Sequence, residues 1–444
     1  MTTSVLRPRL ILEFVVLLAL LSYCAPARSA AAAGSPPPPT ISQCIQRFHQ
    51  PCVTPALVQT YYGVDALLRH GIRGQGRTIA IIDSFGSATL QSDLQHFDRA
   101  FGLPDPQLTV LAPLGKNQPK NSGWAAETTL DVEWAHAMAP DARIVVLESP
   151  VDETEGVQGL PQFLKLEQYV LQHHLADVIS QSWGATEETL LDASGRHVVA
   201  QFHQLYADAA RRGVTVLAGS GDDGAGGIDL SLKKLFPHPA VSYPASDPLV
   251  LAVGGTALVV TEAGTVRGET GWPLSGGGTS KLFPEPAYQK PLPATVQHLL
   301  GGHRGLPDVA FNASGQSAAL IYFRGQWHPV AGTSAAAPQW AGLVALADGM
   351  AGRGLGLLNP TLYGLACTAR YAADFRDITA GDSKGPNHNG MSLGGAGFRA
   401  MSGWDAVTGL GSPRASTLLP DIVHAALHPT TLRSSAGTGV CSVR

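Results

Sequence analysis

Four short apolar runs constrain this chain more than any other feature. They are "GRTIAIID" (76–83), "ARIVVLES" (142–149), "ADVISQSWG" (176–184) and "VTVLAGSG" (214–221). Each has the length of a strand and is apolar on both alternating faces, the pattern of a strand covered from both sides. Between them lie segments of helical period: "ETTLDVEWAHAMA" (127–139), "LPQFLKLEQYVLQHHL" (160–175) and "HVVAQFHQLYADAARRG" (197–213). A further run, "PLVLAVGGTALVV" (248–260), extends the series. Repeated βα units of this kind predict an α/β fold, with a doubly wound, mostly parallel sheet and helices on both faces. In such sheets functional groups gather beyond the C-terminal ends of the strands. Residues 225–330, richer in Gly and Pro, are expected to be loop-rich.

The chain has 444 residues, 44% of them hydrophobic, enough for a large core. Its net charge of −4 offers no basic surface for nucleic acid. Arg7 and Arg9 precede the apolar run "LILEFVVLLALLSYCA" and then "PARSAAAA". This order reads as a secretory signal peptide over residues 1–30, cleaved after Ala27, Ala30 or Ala31, although Glu13 interrupts the run. No stable membrane association is expected after cleavage. Residues 31–53 read as a linker and short N-terminal extension, 54–425 as the main domain and 426–444 as a tail; "TPALVQTYYGVDALL" within this N-terminal part is expected to be helical. Four cysteines remain beyond the leader, which allows three pairings; Cys44–Cys52 and Cys367–Cys441 are favoured, and free thiols are the alternative. None has the CxxC spacing of a zinc site.

"AGTSAAAPQWAGL" (331–343) has the form of a turn entering a helix that carries a nucleophilic serine, Ser334. A serine hydroxyl needs a base to take its proton. "GTSAAAP" resembles the serine motif of subtilisins, yet no histidine stands in an HGTH-like segment. His70 lies in "RHGIRG", ahead of the first sheet strand, and His136 reads as a packed or surface histidine. Carboxylates are available instead. Glu127 and Asp131 are four residues apart and share a helix face, whereas Glu133 points about 200° away from Asp131. Asp222 and Asp223 occupy a Gly-rich turn, "SGDDGAGG", after a strand; a plain turn is the alternative reading.

"ETTLD", "SGDDGAG" and "GTSAAAP", in that order, resemble the sedolisin family of serine-carboxyl peptidases over roughly residues 54 to 415. The resemblance implies a subtilisin-like fold in which a glutamate replaces the histidine. It implies Ser334 as nucleophile, Glu127 as general base, Asp131 hydrogen-bonded to Glu127, and a protonated Asp222 as oxyanion donor, with Asp223 a neighbour only. It implies Asp83 as an outer acid and Trp183 packed over the carboxylates. Backbone at Ser182 to Gly184 and at 275–280 would pair with an extended protein or peptide substrate. A glutamate base with a protonated acid donor implies an optimum at about pH 3–5.

The tail "DFRDITAGDSKG…FRAMSGWDAVTGLGSP" resembles that family's C-terminal calcium (Ca2+) site. By match, Asp377 and Asp405 would give carboxylates, and Ile378, Met401 and Gly403 carbonyls. The family more often has Gly where Met401 stands. Its members carry a long N-terminal pro-domain, and residues 31–75 are too short to form one. "NAS" at 312–314 is a glycosylation sequon in a eukaryotic secretory route. The expected protein is a secreted, extracellular, monomeric endopeptidase. The alternatives are a tripeptidyl-type exopeptidase and a catalytically silent binding protein on the same scaffold.

Overall fold

The computed structural model describes residues 36–117, 123–379, 387–390, 397–428 and 441. The leader expected at 1–30 and most of the tail expected at 426–444 lie outside the described residues. Eight strands form the main sheet: β1 Thr78–Ser84, β2 Leu108–Leu111, β3 Arg143–Ser149, β4 Val178–Gln181, β5 Thr215–Gly219, β6 Leu251–Val260, β7 Val266–Gly271 and β8 Val309–Asn312. Their order is β7-β6-β5-β4-β1-β3-β2, with β8 also on β6. All pairings are parallel except β6 with β7.

The period of two assigns the faces. Ile79 and Ile81 of β1 point into one core layer and Ala80 and Ile82 into the other. The first layer is covered by α1 Leu90–Phe101, α2 Trp124–Met138 and α5 Thr333–Ala351. The second is covered by α3 Leu160–Gln172 and α4 Ala193–Arg211, through Phe163, Val170, Phe202 and Tyr206. Helices on both faces of a mostly parallel sheet agree with the pattern of the sequence. Helix α2 is buried on nearly every side, so it carries no amphipathic stripe. It lies directly against α5: a methyl on Gly342 would come within 2.4 Å of Met138 Cβ.

Three expectations need adjustment. Besides the expected run at 248–260, which is β6, residues 225–330 hold further strands, including β7 and β8; glycines in short strands hide such strands from a propensity reading. The segment "TPALVQTYYGVDALL" is two helices, Pro55–Tyr62 and Val64–Arg69, broken where Gly63 takes a left-handed φ of 76°. Asn312 of the "NAS" sequon is buried and bonded to Ser317, so the folded chain offers it to no transferase. The two disulfides are Cys44–Cys52 and Cys367–Cys441, the favoured pairing. No helix among the described residues is long and apolar enough to cross a membrane.

Candidate active site

Three neighbouring strands end at one place. Asp83 is the penultimate residue of β1, Ser182 follows β4, and Asp222 lies three residues beyond β5. Helix α5 begins opposite them and presents Ser334 in its first turn, while α2 brings Glu127 and Asp131 alongside on one face. Ser334 and Glu127 are half-buried and reachable from solvent; Asp83 and Asp131 are fully buried. The acids thus run from the cleft surface into the interior.

Hydrogen bonds fix this arrangement. Ser182 Oγ donates to Asp131 Oδ1 at 2.9 Å and also lies 3.4 Å from the Ser334 carbonyl. Thr333 donates twice to Asp222 Oδ1, from its N–H at 2.7 Å and its hydroxyl at 2.8 Å. Gly221 N–H donates to the same Thr333 hydroxyl at 3.1 Å. Asp222 is therefore strapped to the turn that carries Ser334, and neither Thr333 bond occupies its Oδ2. Gly332 enters α5 at φ 140°, and a methyl there would sit 2.6 Å from Asp222 Oδ2. Only glycine admits both the backbone angle and the carboxyl.

Burial governs the protonation of the acids. Glu127 is pushed up, first by desolvation and then by the charges of Asp83 and Asp222, while a hydrogen bond with Ser334 pulls it down. Asp83 rises to about 7, chiefly by burial, with Thr128 opposing. Asp131 is raised by burial and by Asp83 and Glu127, against the Ser182 hydrogen bond. Asp222 faces the cleft, yet the surrounding protein raises it too, against the two Thr333 bonds. No cationic side chain pairs with any of the four among the described residues. Glu127 Oε1, Asp131 Oδ2 and both Asp83 oxygens are buried without a hydrogen-bond partner. Like charges this close titrate as a unit. Burial thus opposes ionisation throughout the cluster, and Asp222 is raised in the same direction.

The remaining sequence candidates separate clearly. His136, half a helical turn out of phase with Glu127, is buried beside Asp98 with Nε2 2.9 Å from the Pro104 carbonyl. Burial lowers it to about 4. His70 is exposed at the C-cap of Val64–Arg69. Glu133 accepts from Tyr322 N–H at 3.0 Å, away from the site. Asp223 is raised to about 6 by burial and by Asp222. Trp183 packs its ring on Phe163, 4.7 Å between centroids, in the second core layer. The 275–280 segment is tied to the Asp222 loop, with Gly276 N–H donating to Gly221 O and Ser220 Oγ to Gly276 O. Thr333 and the Ser182 side chain escaped the sequence reading. The one available signal was their position, next to the serine and directly after a buried strand.

The metal candidates fall on two segments, Asp377 with Ile378 and the turn from Met401 to Asp405, joined by hydrogen bonds. Asp377 accepts from Gly403 N–H and from the Ser402 hydroxyl, both at 3.0 Å, and Asp405 Oδ2 accepts from Met401 N–H at 3.0 Å. Burial raises Asp405 to about 7 and Asp377 in the same direction. Neither forms an ion pair among the described residues, and no cluster of three or more His, Cys, Asp or Glu suited to a metal occurs there. A buried Asp405 and a half-buried Asp377 without a cationic partner supply the carboxylate oxygens that a hard cation takes, although the main-chain groups now facing them are N–H donors. Asn389 Nδ2 joins this region to the site by donating to Ser275 O and Ala406 O.

The sequence profile of the Subtilase family matches residues 120–352, the stretch from α2 to the end of α5. Kumamolisin of Bacillus sp. (strain MN-32) is 35% identical over 367 residues, covering 80% of this chain and 62% of that protein. Human tripeptidyl-peptidase 1 is 33% identical over 352 residues, covering 75% and 58%. The chain thus spans less than two thirds of the length of these relatives. The structure of Pseudomonas sedolisin, a serine-carboxyl proteinase complexed with two molecules of pseudo-iodotyrostatin, superimposes with a TM-score of 0.70. That match has 27% identity over 87% of this chain and 99% of the other. The chain belongs to the subtilase family, in its sedolisin branch.

Proposed function

We propose that this chain is an acid-acting endopeptidase that cleaves protein or peptide bonds through Ser334, Glu127, Asp131 and Asp222. The observation that carries this reading is the meeting of Ser334 with a desolvated Glu127, beside an Asp222 strapped to the same turn. Glu127, ionised, takes the proton of Ser334 as the hydroxyl attacks the scissile carbonyl, and returns it to the leaving amine. Asp131, held by Ser182, and Asp83 behind it set the proton affinity of Glu127. Asp222, protonated, donates from its free oxygen to the developing oxyanion. The alkaline limb of activity then follows loss of the Asp222 proton. The acid limb follows the first ionisation of the Glu127 cluster, which burial moves upward from the range of a free glutamate.

Calcium is proposed at the C-terminal turn, with Asp377 and Asp405 supplying carboxylates and Ile378, Met401 and Gly403 carbonyls. When bound, it would neutralise the buried Asp405 and the half-buried Asp377 and brace the loop behind the site. The two disulfides suit an oxidising compartment, and an extracellular monomer is proposed.

Peptide hydrolysis across the pH range, beside Ser334→Ala and Glu127→Gln, tests the reading. An acid-side optimum abolished by both substitutions supports it; a neutral optimum that survives Glu127→Gln refutes it. The match to tripeptidyl-peptidases motivates a second reading, release of N-terminal tripeptides. Undiminished cleavage of N-terminally blocked peptides excludes that alternative.

A further inference from the structure

Away from the cleft, α1 and a β-hairpin enclose an open pocket of about 440 Å³. The hairpin pairs Ala318–Phe323 with Gln326–Val330 and closes from Phe323 to Gln326 through two residues, Arg324 and Gly325. Both have positive φ, 49° and 81°. Asn-Gly is the ordinary choice for such a turn, and arginine enters this region rarely. The local sequence therefore departs from what the turn alone selects, and such departures point to use.

The surroundings explain how the arginine is held and what it faces. Buried Asp93 accepts from Arg324 N–H at 3.0 Å and from the Thr89 hydroxyl at 2.5 Å, so this one acid of the pocket serves as a bracket for the turn. The Arg324 guanidinium lies 4.8 Å from the Phe323 ring centre, and Arg324 is itself a lining residue of the pocket. Arg99 lines the pocket from α1. Neither guanidinium forms an ion pair among the described residues; Asp98, the neighbour of Arg99 in sequence, is raised to about 8, chiefly by burial, with Arg99 opposing. His96 stacks on Tyr322 at 3.8 Å and meets the Pro36 carbonyl through one ring nitrogen. Arg47 adds positive charge beside the turn by donating to Gln326 at 3.3 Å.

We infer that this pocket binds a tetrahedral oxyanion of phosphate or sulfate type. Arg99 and Arg324 both line this space, and planar guanidinium forks match the paired oxygens of such anions. Binding strengthens in acid. His96 is lowered by burial, is opposed by Arg99 and assisted by Asp93, and gains a second N–H only when protonated. The site shares no residue with the proposed peptidase centre and stands independently of that reading.

The test uses the full chain carrying Ser334→Ala, titrated calorimetrically with inorganic sulfate, inorganic phosphate and a hexose 6-sulfate at constant ionic strength set with chloride. Saturable one-to-one binding that weakens about tenfold or more in Arg99→Gln and in Arg324→Gly is expected. Glycine suits the turn, so Arg324→Gly should fold at least as well as the parent, which thermal unfolding without ligand checks. Tighter binding of the hexose ester identifies a sugar-borne group, and equal binding identifies the free ion. His96→Gln should flatten the rise in affinity toward acid. Absence of saturable binding, or affinity retained in both arginine variants, overturns the inference. In the Ser334 parent, Arg324→Gly should leave peptide hydrolysis unchanged.

Discussion

Replacing Asp83 by asparagine removes an ionisable group and keeps its shape, and the site gives the consequence a sign and a size. Asp83 is fully buried, and among the described residues neither of its oxygens has a hydrogen-bond partner and no cationic side chain pairs with it. Burial raises it from an ordinary 3.8 to about 7. A carboxyl raised on folding holds its proton in the native state while the unfolded chain releases it. Its contribution is therefore most favourable below about pH 4, and stability is lost as pH climbs from there to about 7. Each pH unit in that window is worth about 1.4 kcal/mol, so the native state of the parent carries a penalty of roughly 4 kcal/mol at neutral pH. The asparagine side chain does not titrate and carries no such penalty. In a Ser334→Ala background, which prevents self-cleavage, denaturant unfolding should show near-equal stability at about pH 4 and a gain of a few kcal/mol for Asp83→Asn at about pH 8. A gain of the same size at both pH values, or a loss at pH 8, would refute the reasoning. Because the charge of Asp83 raises Glu127 and Asp131, the same substitution in active enzyme should move the acid limb of kcat/KM downward.

Asp222→Asn keeps a donor that needs no proton, so the alkaline limb should extend upward, whereas Asp222→Ala should cost about 10²–10³ in kcat; paired pH–rate profiles decide. Gly332→Ala forces a methyl to within 2.6 Å of Asp222 Oδ2; kcat should fall about tenfold or more while circular dichroism stays native. Chelator should lower the Tm at neutral pH through loss of the proposed calcium, and Asp405→Asn should abolish that response; an unchanged Tm in the parent counts against the metal.

The sheet was legible because its strands are buried on both faces, and "TIAIID" and "RIVVLES" are readable without partners. The smaller strands between 225 and 330 were not. Their identity rests on pairing with distant segments, such as Val309 with Val253, and on glycines whose role is close approach. Glu127 and Asp131 could be placed on one helix face from spacing alone, but not in a common site with Ser334. Nearly two hundred residues separate the end of α2 at Met138 from the start of α5 at Thr333, and only the sheet brings them together. Ser182 as the support of Asp131, and Thr333 as the strap on Asp222, were illegible for the same reason. A serine or threonine beside a motif acquires a role only when a neighbouring strand supplies its partner. Arg304 and Asp308, a fully buried pair also bonded to Ala252 and Tyr363, lie in a stretch whose sequence reads as loop.

The buried acids link stability to the proposed chemistry. Glu133 and Glu167 are fully buried and raised, chiefly by desolvation, and Glu167 has no hydrogen-bond partner for either oxygen. Neither belongs to the site. Both carry the same sign as Asp83, so these acids hold more protons in the native state than in the unfolded chain and cost stability as pH rises, while the lowered His136 acts in the opposite direction. A site built on histidine needs none of this, since imidazole ionises near neutrality within an ordinary core. A site built on carboxyls needs one charge shared among several acids, and burial supplies that by keeping the others protonated. The desolvation that prepares Glu127 and Asp222 therefore comes from the same physical source as the acid stability of the core. A variant that restores neutral stability by replacing Glu133 and Glu167 should leave the pH–rate profile in place, because neither residue is among the charges that shift Glu127 or Asp222.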